Sequence, residues 1–234
     1  MIQQFIKNKI NNKTQFIELV ASIYNILHYN NSYKYRNKNN LSWKGAFLKG
    51  CKFNIFGQNT TILFSTKARF KNCTFNISGN NCQIIVGGNH TIVSNVNFCC
   101  QDDNSKIIIG DDFTMEGGHI AATEGEIIKI GNDCMFSDDI EIRNGDSHSI
   151  IKANSQERIN WAKPVIIEDH VWLTAHVRVL KGSFIPHHSI IGNSSVVSKA
   201  LEEPYSIYGG CPIKNLKTNI DWDRNRYKFK KNNQ

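Results

Sequence analysis

The sequence lacks the features of a disulfide-bonded or membrane-spanning protein. Its seven cysteines are an odd number, and no two of them form a Cys-X-X-Cys pair. This argues against a disulfide framework and against a structural zinc site, and it predicts reduced thiols, as in the cytoplasm. No run of 18 apolar residues occurs, and no small-residue cleavage site follows an apolar segment near the N-terminus. We therefore expect neither a membrane span nor a signal peptide.

A strong charge of either sign is lacking in the centre of the chain. The formal net charge is +8, but residues 1–45 carry +6, residues 213–234 carry +5, and residues 46–212 carry −3. Basic ends of this kind are typical of solvated termini, and they can also attract an anionic polymer or an anionic membrane surface.

An aliphatic period of six residues is present instead. Neither an α-helix nor a plain strand gives this period, whereas a parallel β-helix does, because its short strands wind around a prism and stack inward-facing aliphatic residues. The unbroken line consists of Ile167, Leu173, Val179, Ile185, Ile191 and Val197.

Longer repeats extend the predicted coil towards the N-terminus. Cys51-Lys-Phe-Asn-Ile-Phe-Gly-Gln-Asn59 recurs 22 residues later as Cys73-Thr-Phe-Asn-Ile-Ser-Gly-Asn-Asn81. Eighteen residues make one turn of a triangular coil, so this spacing predicts one turn with a few bulged residues. Gly followed by Asn or Asp suits a tight corner that needs positive φ. The cysteines of these repeats are expected to be small buried core residues.

Residues 14–29 predict one helix, with Thr14 as the N-cap and an apolar face at helical spacing. We expect this helix to cover the open end of the coil. Membrane-surface binding is the alternative, because Lys7, Lys9 and Lys13 lie upstream of that face. The apolar face consists of Phe16, Leu19, Val20, Ile23, Tyr24 and Leu27.

The period breaks at His148, where the line Ile130, Phe136, Ile142 calls for an aliphatic residue. Residues 149–163 fit no hexapeptide and are too polar for a core, so they predict a loop extruded from the coil. A histidine beside such a loop is a candidate general base, because imidazole titrates near neutral pH. Asp146 lies two residues earlier and would either orient the imidazole, bind the acceptor or act as an ordinary corner residue.

Trp172 precedes the inward-facing Leu173 and therefore points outward. A large outward aromatic residue on a flat wall is expected to be covered by a ligand or by a partner subunit. His170 and His176 are six residues apart, but no third ligand lies in register with them, so we predict no metal.

The segment 165–217 resembles the hexapeptide-repeat acyltransferases. The residues that carry the resemblance are Val171-Trp-Leu-Thr-Ala-His176, Ile191-Gly-Asn193, Val196-Val-Ser-Lys199 and Tyr208-Gly-Gly-Cys-Pro-Ile-Lys214. Within that family, residues 128–222 are most similar to the bacterial capsular polysialic acid O-acetyltransferases. That similarity rests on Ile130-Gly-Asn-Asp-Cys-Met135, Glu141-Ile-Arg-Asn144, Asp146-Ser-His148 and Glu157-Arg-Ile-Asn160.

The resemblance implies an all-β, left-handed parallel β-helix that forms a homotrimer, with acetyl-CoA in the cleft between neighbouring coils. It implies His148 as the catalytic base and Trp172 as a catalytic and cofactor-binding residue at the acetyl end of the cleft. The cofactor residues that it further implies are Ala175, Asn193 and Ser198 along the channel, and Lys199, Lys214 and Lys217 at the phosphates.

With this resemblance, the sequence predicts direct O-acetylation of a bacterial capsular or surface polysaccharide, and the protein is expected to act in the cytoplasm, at most peripheral to the membrane. Acceptor binding is assigned to Arg143, Asn144, Asp146 and Arg158. The cations of Arg143, Lys152 and Arg158 could pair with a sugar carboxylate. The predicted organisation is a helical cap (1–45), the coil (46–212, loop 149–163) and a basic tail (213–234). The alternatives are a small-molecule acetyltransferase, a non-catalytic coil and a zinc-dependent hydratase; no nucleic-acid partner is expected.

Overall fold

The computed structural model describes residues 2–28, 30–35 and 39–226, and these ranges hold one helix and 24 short strands. The helix is α1 (Ile2–Leu27). The strands are β1 (Ser32–Tyr35), β2 (Asn40–Ser42), β3 (Phe47–Lys49), β4 (Lys52–Ile55), β5 (Thr61–Phe64), β6 (Arg69–Lys71), β7 (Thr74–Ile77), β8 (Gln83–Val86), β9 (Ile92–Ser94), β10 (Val96–Cys100), β11 (Lys106–Ile109), β12 (Thr114–Met115), β13 (Gly118–Ala122), β14 (Ile127–Ile130), β15 (Met135–Phe136), β16 (Ile140–Arg143), β17 (Val165–Ile167), β18 (Trp172–Leu173), β19 (Arg178–Val179), β20 (Phe184–Ile185), β21 (Ile190–Ile191), β22 (Val196–Val197), β23 (Ile207–Gly209) and β24 (Lys214–Lys217).

The strands form three sheets that wrap one prism, which confirms the predicted parallel β-helix. Face A contains β1, β4, β7, β10, β13, β16, β19 and β22; face B contains β2, β5, β8, β11, β14, β17 and β20. Face C contains β3, β6, β9, β12, β15, β18, β21, β23 and β24. The described pairings between named strands are parallel except that of β24 with β23. Each coil therefore runs from face A to face B to face C.

The core is the column of inward-facing side chains inside the prism. All six residues of the aliphatic line are buried, and so are Cys51, Cys73, Cys82 and Cys134, as expected. All seven cysteines are free thiols. Towards the N-terminus the column becomes aromatic: the rings of Phe53, Phe75 and Phe98 stack at centroid distances of 4.7 and 4.9 Å. These distances match the spacing of about 4.8 Å between hydrogen-bonded strands.

The corners use glycine and asparagine for different purposes. Asn59 and Asn81 have φ of 53° and 55°, so asparagine takes the left-handed conformation. Gly57 does not; a Cβ there would lie 1.8 Å from the carbonyl oxygen of Gly79 in the next coil. Positive φ is thus provided by the residue two positions after the glycine, and glycine permits the close stacking of corners.

The N-terminal segment differs from the prediction. The helix begins at Ile2, so Thr14 lies in its interior and is not an N-cap. Most of the predicted apolar face is exposed, including Phe16, Leu19 and Ile23. The side that meets the coil carries the buried Ala21, and Tyr24, whose ring packs edge-on against Phe47 of β3.

Asn25 fastens this helix to the first coil of face C. Its Nδ2 donates to the Ala46 carbonyl oxygen at 3.0 Å, and its Oδ1 accepts from the Leu48 amide at 2.7 Å. The coil begins at Ser32, inside the segment that the sequence assigned to the helical cap. Within the described ranges, no helix combines the length and hydropathy needed to cross a membrane.

The basic tail returns to the coil. After β24, residues 218–226 run back over the coil, where Trp222 is buried against it. The remainder of the predicted tail, residues 227–234, lies outside the described residues.

Candidate active site

His148 lies at the corner between faces A and B, on the loop that leaves the coil after β16. This loop folds into a short hairpin, in which Ile151 and Arg158 form an antiparallel bridge. The His148 amide donates to the Asp146 carbonyl oxygen at 2.7 Å, and the His148 carbonyl oxygen accepts from Asn160 Nδ2 at 2.7 Å. Its exposed imidazole makes no hydrogen bond or ion pair within the described part of the chain. The backbone therefore holds the residue, and both ring nitrogens are available to a substrate.

Asn160 ties the two ends of the loop together. It is buried, its Oδ1 accepts from the Ile150 amide at 2.7 Å, and its Nδ2 also donates to Asp146 Oδ2 at 2.9 Å. With the bond to the His148 carbonyl oxygen, one amide side chain fixes three points on the loop. Asn160 is thus the residue that positions the backbone of His148.

Asp146 faces Lys181. Its carboxylate accepts from the Lys181 ammonium and from Asn160 Nδ2, and no bond joins it to the His148 imidazole among the described residues. The hydrogen bond from Lys181 lowers the pKa of the Asp146 carboxyl, and the bond from Asn160 acts in the same direction. Asp146 is therefore an ionised anchor of the loop.

Trp172 lies on face C, in β18, between Met135 of the preceding coil and Ile190 of the next. As expected, its side chain points outward, and it is half-buried. It lines a groove of about 570 Å³ that extends along face C to Lys71. The indole of Trp222 lies 6.0 Å away. Since face C is opposite the A–B corner in a three-sided prism, Trp172 and His148 of one chain lie on opposite sides of the coil.

The groove continues as a basic track towards α1. An adjoining groove of about 380 Å³ shares Lys71, Ile92 and Ser94 with it, and is also lined by Lys49 and Arg69. The three cationic side chains are exposed. They belong to β3 and β6, and β6 lies four coils, or about 19 Å, from Trp172. Two adjoining grooves thus run along face C, with Trp172 at one end, Glu116 between, and the cationic side chains at the other end.

The residues implied in cofactor binding lie on the same two sides of the prism as His148 and Trp172. Ser198 and Lys199 follow β22 of face A and lie at the A–B corner, as His148 does. On the other side are Trp172, Ala175, Asn193, Lys214 and Lys217, which lie on face C or at the corner between faces C and A. Stacked corners bring Ala175 and Asn193 together, since the Ser194 amide donates to the Ala175 carbonyl oxygen at 3.1 Å.

All four residues assigned to acceptor binding are engaged within the chain, Asp146 through the bonds from Lys181 and Asn160 described above. The Arg143 guanidinium pairs with Glu141, and that of Arg158 pairs with Glu124 and lies 4.4 Å over the ring of Trp161. Asn144 is fully buried, and its Oδ1 accepts from the Thr123 amide at 2.8 Å.

Lys152 is similarly engaged, since its ammonium pairs with Glu157 at 2.6 Å. These contacts account for the folding of the corner and the loop. The cations of the basic track make no such ion pair among the described residues.

Sequence reasoning missed Asn160, Lys181, Arg69 and Lys71. Arg69 and Lys71 flank the inward-facing Phe70, and this alternation indicates that both point outward. Lys181 stands one coil ahead of Asp146, 35 residues along the chain, so only the stacking of coils reveals their contact.

Comparisons with known proteins agree on one relationship. No family model matches the chain. A polysialic acid O-acetyltransferase of Neisseria meningitidis is 36% identical over 192 residues, which cover 73% of this chain and 89% of that protein. A polysialic acid O-acetyltransferase of Escherichia coli O1:K1 is 35% identical over 120 residues, which cover 51% of this chain and 39% of that protein.

Solved structures extend the similarity to the fold. The crystal structure of the polysialic acid O-acetyltransferase OatWY superposes with a TM-score of 0.80 at 29% identity, over 86% of this chain and 94% of the other. The coil is therefore the left-handed β-helix of the acyltransferases, as the resemblance implied.

Proposed function

Because this chain belongs to the polysialic acid O-acetyltransferases, we propose that it transfers the acetyl group of acetyl-CoA to a hydroxyl of an anionic capsular polysaccharide, with His148 as the general base. The observation that carries the proposal is the division of the candidate residues between two opposite sides of one rigid prism.

That division supports an active site shared between subunits of a homotrimer. One chain contributes His148, Ser198 and Lys199 from its A–B corner, and its neighbour contributes Trp172 and the residues around it from face C. In a closed ring with threefold symmetry, each contact joins two different surfaces, so three identical sites form. An outward tryptophan and an imidazole free of internal partners are then two halves of the same site.

The residues around this cleft suit acetyl-CoA. Lys199, Lys214 and Lys217 are exposed and make no ion pair among the described residues, so they can meet phosphate groups as point charges. Trp172 offers an apolar surface beside Met135 for the pantetheine arm. Bound acetyl-CoA supplies an acyl group that is already activated as a thioester.

His148 performs the proton transfers in the proposed reaction. Its imidazole accepts the proton of the sugar hydroxyl as the oxygen attacks the thioester carbonyl, and it returns the proton to the CoA sulfur when the C–S bond breaks. A backbone N–H at the corner stabilises the charge that develops on the carbonyl oxygen. The coil holds both reactants in place, and this arrangement needs no acyl-enzyme.

The basic track supports an anionic, polymeric acceptor. Lys49, Arg69 and Lys71 line an open groove that leads to Trp172, and a long polyanion can lie along it with several carboxylates paired at once. The alternative of a small acceptor predicts a closed pocket, whereas neither groove is an enclosed cavity.

We place the enzyme in the cytoplasm, where thiols stay reduced. We also propose peripheral membrane association through the exposed apolar side of α1, whose basic neighbours include Lys13. Flotation of the protein with anionic and with neutral vesicles tests that association, and recovery of all protein at the bottom of both gradients would contradict it.

The proposed function is tested by release of free thiol from acetyl-CoA. The acceptors are polysialic acid, polysialic acid whose carboxyl groups have been reduced, a neutral capsular polymer and small sugars. We expect release with polysialic acid, much less with the reduced polymer, and a loss of about 10²–10⁴-fold in kcat for His148→Ala. His90→Ala is the matched control, because His90 is an exposed coil histidine beside Asp112 and far from the corner.

Two outcomes would contradict the proposal. Equal rates with charged and reduced polymers would exclude recognition of an anionic acceptor. Undiminished release by a folded His148→Ala protein would exclude the general base.

A further inference from the structure

A second cluster of titratable groups lies at the corner between faces B and C, away from His148. His170 follows β17 and His188 follows β20, so the two residues stand on successive coils, with ring centroids 4.6 Å apart. The returning tail brings Asp221 between them. The sequence did not reveal this group, because Asp221 is outside the coil register. The six-residue spacing pairs His170 with His176, whose side chain instead contacts Asp139.

The three side chains present ligand atoms at the spacing of a metal site. Asp221 Oδ1 lies 3.3 Å from His170 Nε2 and 3.0 Å from His188 Nδ1, and all three atoms lie within 4.8 Å of one another. Bonds of about 2.0–2.1 Å in a tetrahedron give ligand-to-ligand distances of about 3.3–3.4 Å. The two edges that meet at Asp221 are therefore close to those of a tetrahedral zinc-class ion.

The surroundings orient His170 for this role. Its Nδ1 lies 2.6 Å from Asp133 Oδ2, which can accept a hydrogen bond from Nδ1–H, so Nε2 is the ring nitrogen that faces Asp221 and can bind an ion. A carboxylate on the far nitrogen of a metal-binding histidine is the usual supporting contact. Nε2 also lies 3.0 Å from the Trp222 carbonyl oxygen, so a ring nitrogen and two oxygens meet there, an arrangement that either a proton on Nε2 or a bound cation satisfies.

Packing holds the cluster in place. The indole of Trp222 stacks on His170 at a centroid distance of 4.1 Å and donates from Nε1 to the His170 carbonyl oxygen at 2.9 Å. Tyr205 stacks on His188 at 4.4 Å. The side chains of His170, His188 and Asp221 are 19%, 30% and 52% exposed, so an ion can reach them from solvent.

We propose that His170, His188 and Asp221 bind one divalent ion of the zinc class, which fastens the C-terminal segment 218–226 to the coil. Two imidazole nitrogens and one carboxylate oxygen suit zinc, and water or the Trp222 carbonyl oxygen completes the four ligands. The ion replaces the proton that otherwise bridges His170 and the tail.

Direct metal binding tests the site without any acetyl transfer. Untagged protein is stripped with EDTA, dialysed and titrated with Zn²⁺ by calorimetry, with metal content measured per chain. We expect one ion per chain, a rise in the unfolding temperature on adding Zn²⁺, and slower tryptic cleavage after Lys217. The absorption spectrum with Co²⁺ reports whether the ligands are tetrahedral.

Variants locate the ion. His188→Gln and Asp221→Asn each remove a ligand. We expect them to weaken Zn²⁺ binding more than Asp133→Asn, which removes only the supporting carboxylate and is expected to lower the affinity about 10–100-fold. His176→Gln is the matched control, because it changes a histidine that pairs with an aspartate at another corner. Asp221→Asn is nearly isosteric and lies on the exposed tail, so its fold is expected to persist.

Two results would overturn the site. If wild-type protein takes up no Zn²⁺, the three side chains are held together by a shared proton and do not form a metal site. Equal Zn²⁺ affinity in wild type, His188→Gln and Asp221→Asn would place the ion elsewhere. Neither result bears on the acetyltransferase activity, which is measured separately.

Discussion

At the scale of single residues, the candidate site depends on which groups are free and which are paired. The His148 imidazole has no internal partner among the described residues, whereas the neighbouring Asp146 carboxylate is held by Lys181 and Asn160. A free imidazole can hydrogen-bond a sugar hydroxyl directly. The ionised aspartate acts on it only through the position of the loop.

The first prediction concerns the pH dependence of this anchor. The pKa of Asp146 is lowered in the folded state from its ordinary value of 3.8, chiefly by the hydrogen bond from Lys181. Its contribution to stability is therefore complete above the ordinary pKa, and it is lost as the pH falls through the folded value. We expect Asp146→Asn to lower the free energy of unfolding at pH 6, and the difference from wild type to shrink once the pH falls below the ordinary value of 3.8 and to disappear below the lowered folded value. Denaturant unfolding at several pH values measures it; a difference that persists unchanged at pH 2.5 would contradict the pairing.

The six-residue period identified the buried core and the outward position of Trp172, because each depends only on the local alternation of side chains. It did not show that Asp146 pairs with Lys181 or that Arg158 pairs with Glu124. Those partners are 35 and 34 residues apart. They meet only because the number of bulged residues in each coil brings them into alignment.

At the scale of elements, the rigid coil and the two segments that leave it have separate tasks. The loop after β16 carries His148, and α1 covers the first coil of face C. Loop boundaries were predictable because the period stops and resumes at definite residues. The start of α1 was missed: Ile2, Phe5, Ile6 and Ile10 already recur at helical spacing, but the asparagines between them and Thr14 are weak helix formers.

The second prediction concerns Asn160, a positioning residue of the loop. Asn160→Ala removes the bonds to the Asp146 side chain, the His148 carbonyl oxygen and the Ile150 amide, and it leaves buried groups unpaired. We expect a loss of about 1–3 kcal/mol in stability. We also expect kcat to fall, with little change in the KM for acetyl-CoA, because the cofactor residues are not attached to the loop.

Asn154→Ala, an exposed asparagine of the same loop, is the control for this experiment. Comparison of kcat and KM for both variants separates positioning from general loss of fold. Equal effects of the two substitutions would refute the role assigned to Asn160.

At the scale of the whole molecule, a three-sided prism keeps the A–B corner and face C apart. In the proposed trimer, one chain therefore contributes two half-sites and a basic track, and each complete site needs a second chain. The fold was predictable from the sequence. The basic track was not, because β3 and β6 become neighbours only after the chain has wound once around the prism.

The third prediction tests the basic track. Arg69→Glu with Lys71→Glu is expected to raise the KM for polysialic acid by about 5–10-fold at low salt, as exposed charge pairs contribute about 0.2–1 kcal/mol each. The effect shrinks in 0.5 M salt, where exposed charges are screened. Lys129→Glu reverses an exposed charge on face B and is expected to leave KM unchanged. An equal rise in KM for Lys129→Glu would show a nonspecific effect of net charge.

The measurement that tests the central claim most directly is subunit complementation. His148→Ala and Trp172→Ala chains with different tags are coexpressed, and trimers that carry both tags are isolated. Every mixed trimer then has one contact in which an intact His148 corner meets an intact Trp172 face, so we predict about one third of wild-type activity from two nearly inactive variants. Mixed trimers no more active than the two parent variants would contradict an active site shared between neighbouring coils.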